Sequence, residues 1–346
     1  MGREHMRNLA LVEGADLIGI ADPDEGSRIT AKVLAEQLGQ KPAIFSDITD
    51  LLETCDFDAA IIASPNFTHY SLLNQIMAKN LAILVEKPLC TNTEDALHIS
   101  EMAANYPELF WVGMEYRYMP PVSRFIERVH AGEPGRLFMM YIREHRFPFL
   151  SKVGDWNRFN RNTGGTLVEK CCHFFDLMRY IFQDEPKRVF ASGAQNVNHL
   201  EECYDGETPD IIDNAYVTVD FMSGARAVLD LCMFAEGAEQ QEEIYVLGDL
   251  GRLDVAIPSA NVSWFPREKS GVTIEHIDTP KAALSAGDHH GATYFQLLSF
   301  HRCLVSGDKP ALQAIDGLRA VQMGVAAQKS IETGLPVELN FTELGE

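Results

Sequence analysis

The chain has 346 residues, a length that favours two domains over one. Its hydrophobic content of 46% and charged content of 23% are those of an ordinary globular protein. A formal net charge of -21 argues against nucleic acid or an anionic membrane as partner.

No apolar run reaches the roughly 18 residues of a membrane span, and the opening Met1-Gly2-Arg3-Glu4-His5 has no signal-peptide core, so a cytoplasmic protein is expected. The 7 cysteines show no C-x-x-C spacing. Cys171 and Cys172 are adjacent, which suits neither a zinc site nor an ordinary disulfide, so buried reduced thiols are expected.

In chain order, residues 2–11 read as a helix with no strand before it. Short apolar runs at 16–22, 43–45, 59–63, 81–85 and 110–114 read as strands. Helical patterns at 25–38, 70–79 and 93–104 separate them. Such alternation predicts a parallel sheet covered on both faces, a Rossmann-like α/β domain. The first strand of that fold is central, so its absence predicts an N-terminally incomplete version of a longer chain. Beyond 114 the pattern changes to a helix at 120–130, a strand at 136–146 and a polar aromatic loop at 147–163. A helix at 166–182 follows, then strands at 188–194, 215–221, 225–234, 243–247 and 261–264, and helices at 292–305 and 317–333. This is an α+β domain on a mostly antiparallel open sheet. The expected division is 1–118 and 119–346. An apolar face on such a sheet predicts a homodimer or homotetramer.

Sites in open α/β sheets gather at the carboxyl ends of the strands. Three strands end here in polar or proline-containing signatures: Asp22-Pro23-Asp24, Ser64-Pro65-Asn66 and Glu86-Lys87-Pro88. Asp22 follows Gly2, which opens a helix, by about 20 residues, the placement of an acid that binds the ribose hydroxyls of NAD. Asp-Pro-Asp is also a turn former. Lys87, fixed in extended backbone by Pro88, can hold a substrate oxygen and stabilise its anion; a solvated loop lysine is the ordinary reading.

The 166–182 helix is apolar nearly all round, hence buried, yet Glu169, His173 and Asp176 share one face. A catalytic histidine with an acidic neighbour and a stabilising Glu–His pair fit that stripe about equally. Trp156, Asn157 and Arg158 in the polar loop could line a pocket or form ordinary surface. His69, His289 and His290 are by default surface or packing residues, although His289-His290-Gly291 could reach a substrate. No histidine–carboxylate spacing demands a metal.

Together these segments resemble the Gfo/Idh/MocA family, the glucose–fructose oxidoreductase and inositol dehydrogenase group, over essentially the whole chain. Glu86-Lys87-Pro88 resembles its E-K-P motif, and Gly164 to His173 its G-G-x-L-x-D-x-G-x-H segment. Ala63 to His69 is similar to its A-T-P-N-x-x-H segment, and Tyr116-Arg117-Tyr118 to its R-F/Y turn. Met1 to His5 resembles the end of G-x-G-x-x-G-x-x-H, with Gly2 as the third glycine.

The resemblance implies a dehydrogenase moving hydride between a CH–OH group of a sugar or cyclic polyol and NAD, with NADP left open. Lys87 and His173 would be the catalytic pair, with Glu169 at the family's Asp position touching substrate. Gly2, Asp22, Ser64, Pro65, Asn66, His69, Glu86, Lys87 and Arg117 would face the cofactor, and Lys87, Trp156, Arg158, Glu169 and His173 the substrate. A cis Lys87–Pro88 bond is implied. Glu169 for Asp and Cys171 for Gly depart from the pattern. The alternatives are a non-catalytic NAD(P)-binding sensor or an inactive truncated isoform.

Overall fold

The computed structural model describes residues 1–268 and 270–341. Its first half alternates helices and strands in the order α1 (Gly2–Leu9), β1 (Gly19–Ala21), α2 (Glu25–Gln37), β2 (Ala43–Phe45), α3 (Ile48–Thr54), β3 (Ala59–Ile62), α4 (His69–Met77), β4 (Ala82–Glu86), α5 (Thr93–Ala104) and β5 (Phe110–Gly113). Short polar residues set where the helices start. Asp24, Asp47 and Asn92 each accept a hydrogen bond from a backbone N–H of the first turn of α2, α3 and α5. All five residues of β4 are buried, so Ala-Ile-Leu-Val-Glu shows no alternation: both its faces are covered.

β3, β4 and β5 form one parallel sheet, with Ile61 opposite Leu84 and Leu84 opposite Trp111. β1 and β2 form a second, with Ile20 opposite Ile44. Among the described residues no strand joins β1 to β3. α1 starts beside β3: a Cβ built on Gly2 would meet only the Ala63 Cβ, at 3.9 Å.

The second half runs α6 (Pro120–His130), β6 (Leu137–His145), α7 (Asn160–Thr163), α8 (Thr166–Glu169), α9 (Cys172–Phe182), β7 (Pro186–Ala194), β8 (Asn214–Phe221), β9 (Arg226–Cys232), β10 (Glu242–Gly248), β11 (Gly251–Ile257), β12 (Asn261–Pro266), β13 (Thr273–His276), α10 (Lys281–Ala286), α11 (Ala292–Ser306), α12 (Ala314–Thr333) and β14 (Val337–Glu338). Its strands make one nine-stranded sheet in the order β13-β12-β11-β10-β6-β9-β8-β7-β14. Every pairing is antiparallel except β6 with β9. Alternate residues such as Val217, Val219 and Phe221 of β8 turn inward, as expected of a sheet with one covered face. The carboxyl-end helix α12 packs on β7, α5 and α9 and so ties the halves together. Gly324 permits that approach, because a Cβ there would sit 2.8 Å from the Leu167 carbonyl oxygen.

The short helices α3, α7 and α10, three strands and one break depart from the sequence pattern. β11 alternates, but its Arg252 and Asp254 dilute the apolar signal. β13 is an edge strand with no buried residue, and β14 is two residues long and takes its register from β7. The helix expected over 166–182 is two helices, separated at Lys170-Cys171. A segment buried on every side has no polar phase to lose, so the break leaves no trace in periodicity. No helix of the described residues is long and apolar enough to cross a membrane. All 7 cysteines are free thiols; Cys90, Cys171 and Cys172 are buried as expected, whereas Cys203 is exposed.

Candidate active site

The ends of β3 and β4 are clasped together before any ligand is considered. His69 is fully buried, with Nδ1 2.9 Å from the Pro88 carbonyl oxygen and Nε2 3.2 Å from that of Ser64. Glu86 is also buried, 2.6 Å from His5 Nε2. Burial pushes the Glu86 carboxyl up, but His5 and Lys87 outweigh it and hold it well below the usual carboxylate range. His69 therefore rivets the ends of β3 and β4, and Glu86 ties β4 to α1 through His5. Lys87 is left to project, its bond to Pro88 being cis.

Lys87 crosses to the second half, where its Nζ donates to the Glu169 carbonyl oxygen at 3.0 Å. The break after α8 makes this meeting possible. Gly164 and Gly165, at φ 80° and 91°, turn the chain into α8, and Glu169 ends it. α9 then starts in a new direction with His173 in its first turn. Lys87, Glu169 and His173, distant in sequence, thus share one seam. Glu169 Oε2 and His173 Nδ1 are buried without a protein partner, so the seam has polar capacity that a hydroxylated ligand can satisfy.

The electrostatics suit a base and a poised acid. Burial, reinforced by Lys87 and Lys170, lowers the His173 pKa well below the ordinary histidine value, leaving a neutral imidazole able to accept a proton. Burial raises Glu169 to about 7 against the opposing pull of Lys87 and Lys152.

Several supporting contacts left no signal in the sequence, although Tyr116 and Lys170 lie in segments that carry the family resemblance. Tyr116 stacks flat on His173, with ring centroids 4.0 Å apart and planes within 4°. Lys170 donates to Tyr116 Oη at 2.8 Å and pairs with Glu144 of β6 at 2.8 Å; Arg146 reaches the same carboxylate at 3.1 Å. These side chains come from three distant segments, so no local spacing reveals them. Lys152 is an exposed residue whose ammonium is nonetheless crowded by protein, which lowers its pKa, and it feels Glu169, Lys87 and Glu86.

Other expected residues stand elsewhere. Arg117 grips Asp176 through Nε at 2.7 Å and through Nη2, and donates to the Ala311 carbonyl oxygen at 3.0 Å. It ties the turn after β5 to α9. Asp176 is correspondingly engaged by Arg117. Arg158 is buried and paired with Glu202 at 2.8 Å and with Asn157, which fixes the loop. Trp156 meets Phe67 edge-on, with centroids 6.1 Å apart, and so joins that loop to the end of β3. Asp22 Oδ1 accepts from the Asp24 N–H at 2.8 Å, so the turn reading is realised.

A dinucleotide fits the groups present. α1 has no side-chain cap on its amino end, which leaves its first N–H groups for an anion, and Asn66 Nδ2 is buried with no partner at the end of β3. Ser64 and Pro65 flank it, and Gly2 leaves open space at the start of α1.

Comparisons with known proteins agree with this geometry. Residues 1–114 match the oxidoreductase-family model described as an NAD-binding Rossmann fold, and residues 126–339 match the C-terminal alpha/beta domain model of the same family. A myo-inositol 2-dehydrogenase of Thermotoga maritima is 30% identical over 98% of this chain and 96% of its own. An NAD(+) scyllo-inositol 2-dehydrogenase of Bacillus subtilis is 27% identical over 98% and 94%. The crystal structure of a probable dehydrogenase from Thermotoga maritima superposes with a TM-score of 0.78 at 26% identity, covering 97% of this chain and 95% of the other. Both domain models, in sequence order and over nearly the whole length, place this chain in the Gfo/Idh/MocA oxidoreductase family, with an NAD-binding first domain.

Proposed function

We propose that this protein oxidises a CH–OH group of a cyclic polyol or sugar with NAD, NADP being the lesser alternative. The observation that carries the reading is the seam itself, where Lys87, Glu169 and His173 meet and two buried polar atoms have no partner. The inositol dehydrogenases among its relatives support the choice of substrate class. No observation favours a non-catalytic sensor.

Neutral His173 takes the hydroxyl proton as the carbinol C–H bond breaks. Lys87 holds the same oxygen and favours its anionic form. Glu169 accepts from a neighbouring hydroxyl, and Tyr116 keeps the imidazole plane fixed. NAD supplies the acceptor for the hydride when bound; the first N–H groups of α1 at Gly2, with Asn66 and Asp22, would hold it. Trp156 would wall the substrate side.

The domain boundary that goes with this reading lies at Tyr118. A cytoplasmic homodimer or homotetramer also belongs to it. The open sheet face supports the assembly, since it exposes Met139, Phe190, Tyr216 and Phe265. The test is a screen of inositols and aldoses for NADH formation, with Lys87→Ala as control. Turnover on a polyol that falls by about 10²–10⁴-fold in the variant, with NAD affinity retained, supports the mechanism. Equal turnover removes Lys87 from it.

A further inference from the structure

Behind the seam, a second cluster joins the two halves. Glu4 of α1, Glu115 after β5, and His289 and Thr293 at the start of α11 converge there. One ligand atom from each of Glu4, Glu115 and His289 lies within 4.8 Å of the other two. His289 Nδ1 is 2.9 Å from Glu4 Oε1 and 3.6 Å from Glu115 Oε1. Thr293 Oγ1 is 2.8 Å from Glu4 Oε1 and 2.5 Å from Glu115 Oε2.

Thr293 carries one hydroxyl proton and faces two carboxylates; His289 Nδ1 carries one and faces the same two. Both glutamates are buried. With both ionised, even a protonated His289 leaves one uncompensated negative charge, and burial with the neighbouring carboxylates raises the Glu115 pKa, so either a proton on Glu115 or a bound cation must balance the cluster. The next charges out, the Met1 amino group and Glu86, oppose one another. A further donor is at hand. Gln296 is fully buried, and neither of its amide atoms has a partner. It lies one helical turn beyond Thr293 on α11, and α11 packs against α1 and the turn holding Glu115.

We propose that Glu4, Glu115 and His289 form a divalent-cation site, completed by the Gln296 carbonyl oxygen, that pins α1 and the turn after β5 to α11. Two carboxylates, an imidazole and an amide oxygen suit a borderline ion such as Zn2+ or Mn2+ better than Mg2+, which prefers oxygen and keeps its water. The site supplies the missing positive charge and closes the joint between the halves. Separations of the ligands along the chain hide it from any motif.

The test is titration of the full chain, stripped with EDTA and freed of chelator, with ZnCl2, MnCl2 and MgCl2 by calorimetry, together with thermal melts. The expected result is one Zn2+ or Mn2+ bound per chain, a melting temperature that rises with metal concentration, and affinity about tenfold or more weaker in His289→Ala and Glu115→Gln. His276→Ala, at an exposed histidine elsewhere, should bind as the parent does. Absence of stoichiometric binding by the parent chain overturns the proposal, whether or not the variants fold. Binding unchanged in a folded His289→Ala overturns it equally and would mean that the cluster is closed by a shared proton.

Discussion

The chemistry of this protein rests on a few side chains whose surroundings, more than their types, set what they do. His173 and His69 are both buried histidines, yet both ring nitrogens of His69 face carbonyl oxygens, whereas His173 Nδ1 has no protein partner. The first is a rivet and the second is available. Glu169, raised to about 7 by burial, is neutral below that pH and charged above it. A carboxylate that accepts from a substrate hydroxyl works in the charged form. kcat/KM is therefore expected to rise with pH through about 7, and Glu169→Gln to abolish that step while leaving the limb due to His173, which lies at lower pH because its pKa is depressed. A profile with the step intact in Glu169→Gln would assign it to another group. Lys87, Glu169 and His173 were legible in the sequence because each sits in a contiguous motif. The protein partners of Arg117 and Arg158 were not, because a guanidinium reads the same in a motif whatever carboxylate it meets.

At the scale of elements, the turn into α8 and the break after it aim the catalytic residues. Gly164, at φ 80°, would place a Cβ 2.4 Å from the Thr91 carbonyl oxygen, a backbone atom that cannot swing away. Gly164→Ala is expected to cost about 2 kcal/mol or more, from positive φ and the clash together. Urea melts would show this as a lower midpoint at unchanged slope. An unaltered midpoint would mean that the turn has slack and does not aim Glu169. The strand–helix alternation of the first half was readable in order except for α3, which no pattern announced; α5 and, in the second half, α6 lie over 93–104 and 120–130, as their patterns imply. Capping residues and apolar runs act locally, so they show in sequence. The break at Lys170-Cys171 arises from tertiary demands, with Lys170 drawn to Glu144 and His173 to Tyr116, and such demands have no local signature.

At the scale of the whole molecule, one continuous apolar core spans the two halves, and polar clasps are set into it. Arg117 and Arg179 meet Asp176, Asp316 and Glu185 in a largely buried cluster where the turn after β5, α9 and α12 converge. Burial raises Asp176 to about 6 against the opposing pull of Arg117, while Asp176 in turn raises the Arg117 pKa. Deleting one partner leaves the other charge stranded. Asp176→Ala is expected to cost about 3 kcal/mol, toward the lower end for a broken buried pair because Asp316 remains 3.4 Å from Arg117. Thermal unfolding would register that loss, and a variant as stable as the parent would show the clasp to be dispensable. The order of the halves could be read from the change of pattern near residue 114, but not how they dock, since the docking residues are scattered from Lys87 to Gln328.

The account stands or falls on His173 as the group that takes the substrate proton. The measurement that tests it most directly is NADH formation from a polyol substrate by the parent chain and by His173→Ala, with NAD affinity determined for both. The account predicts a rate lower by about 10²–10⁴-fold at saturating substrate and cofactor, with NAD bound as before. A variant that turns over at the parental rate would contradict it.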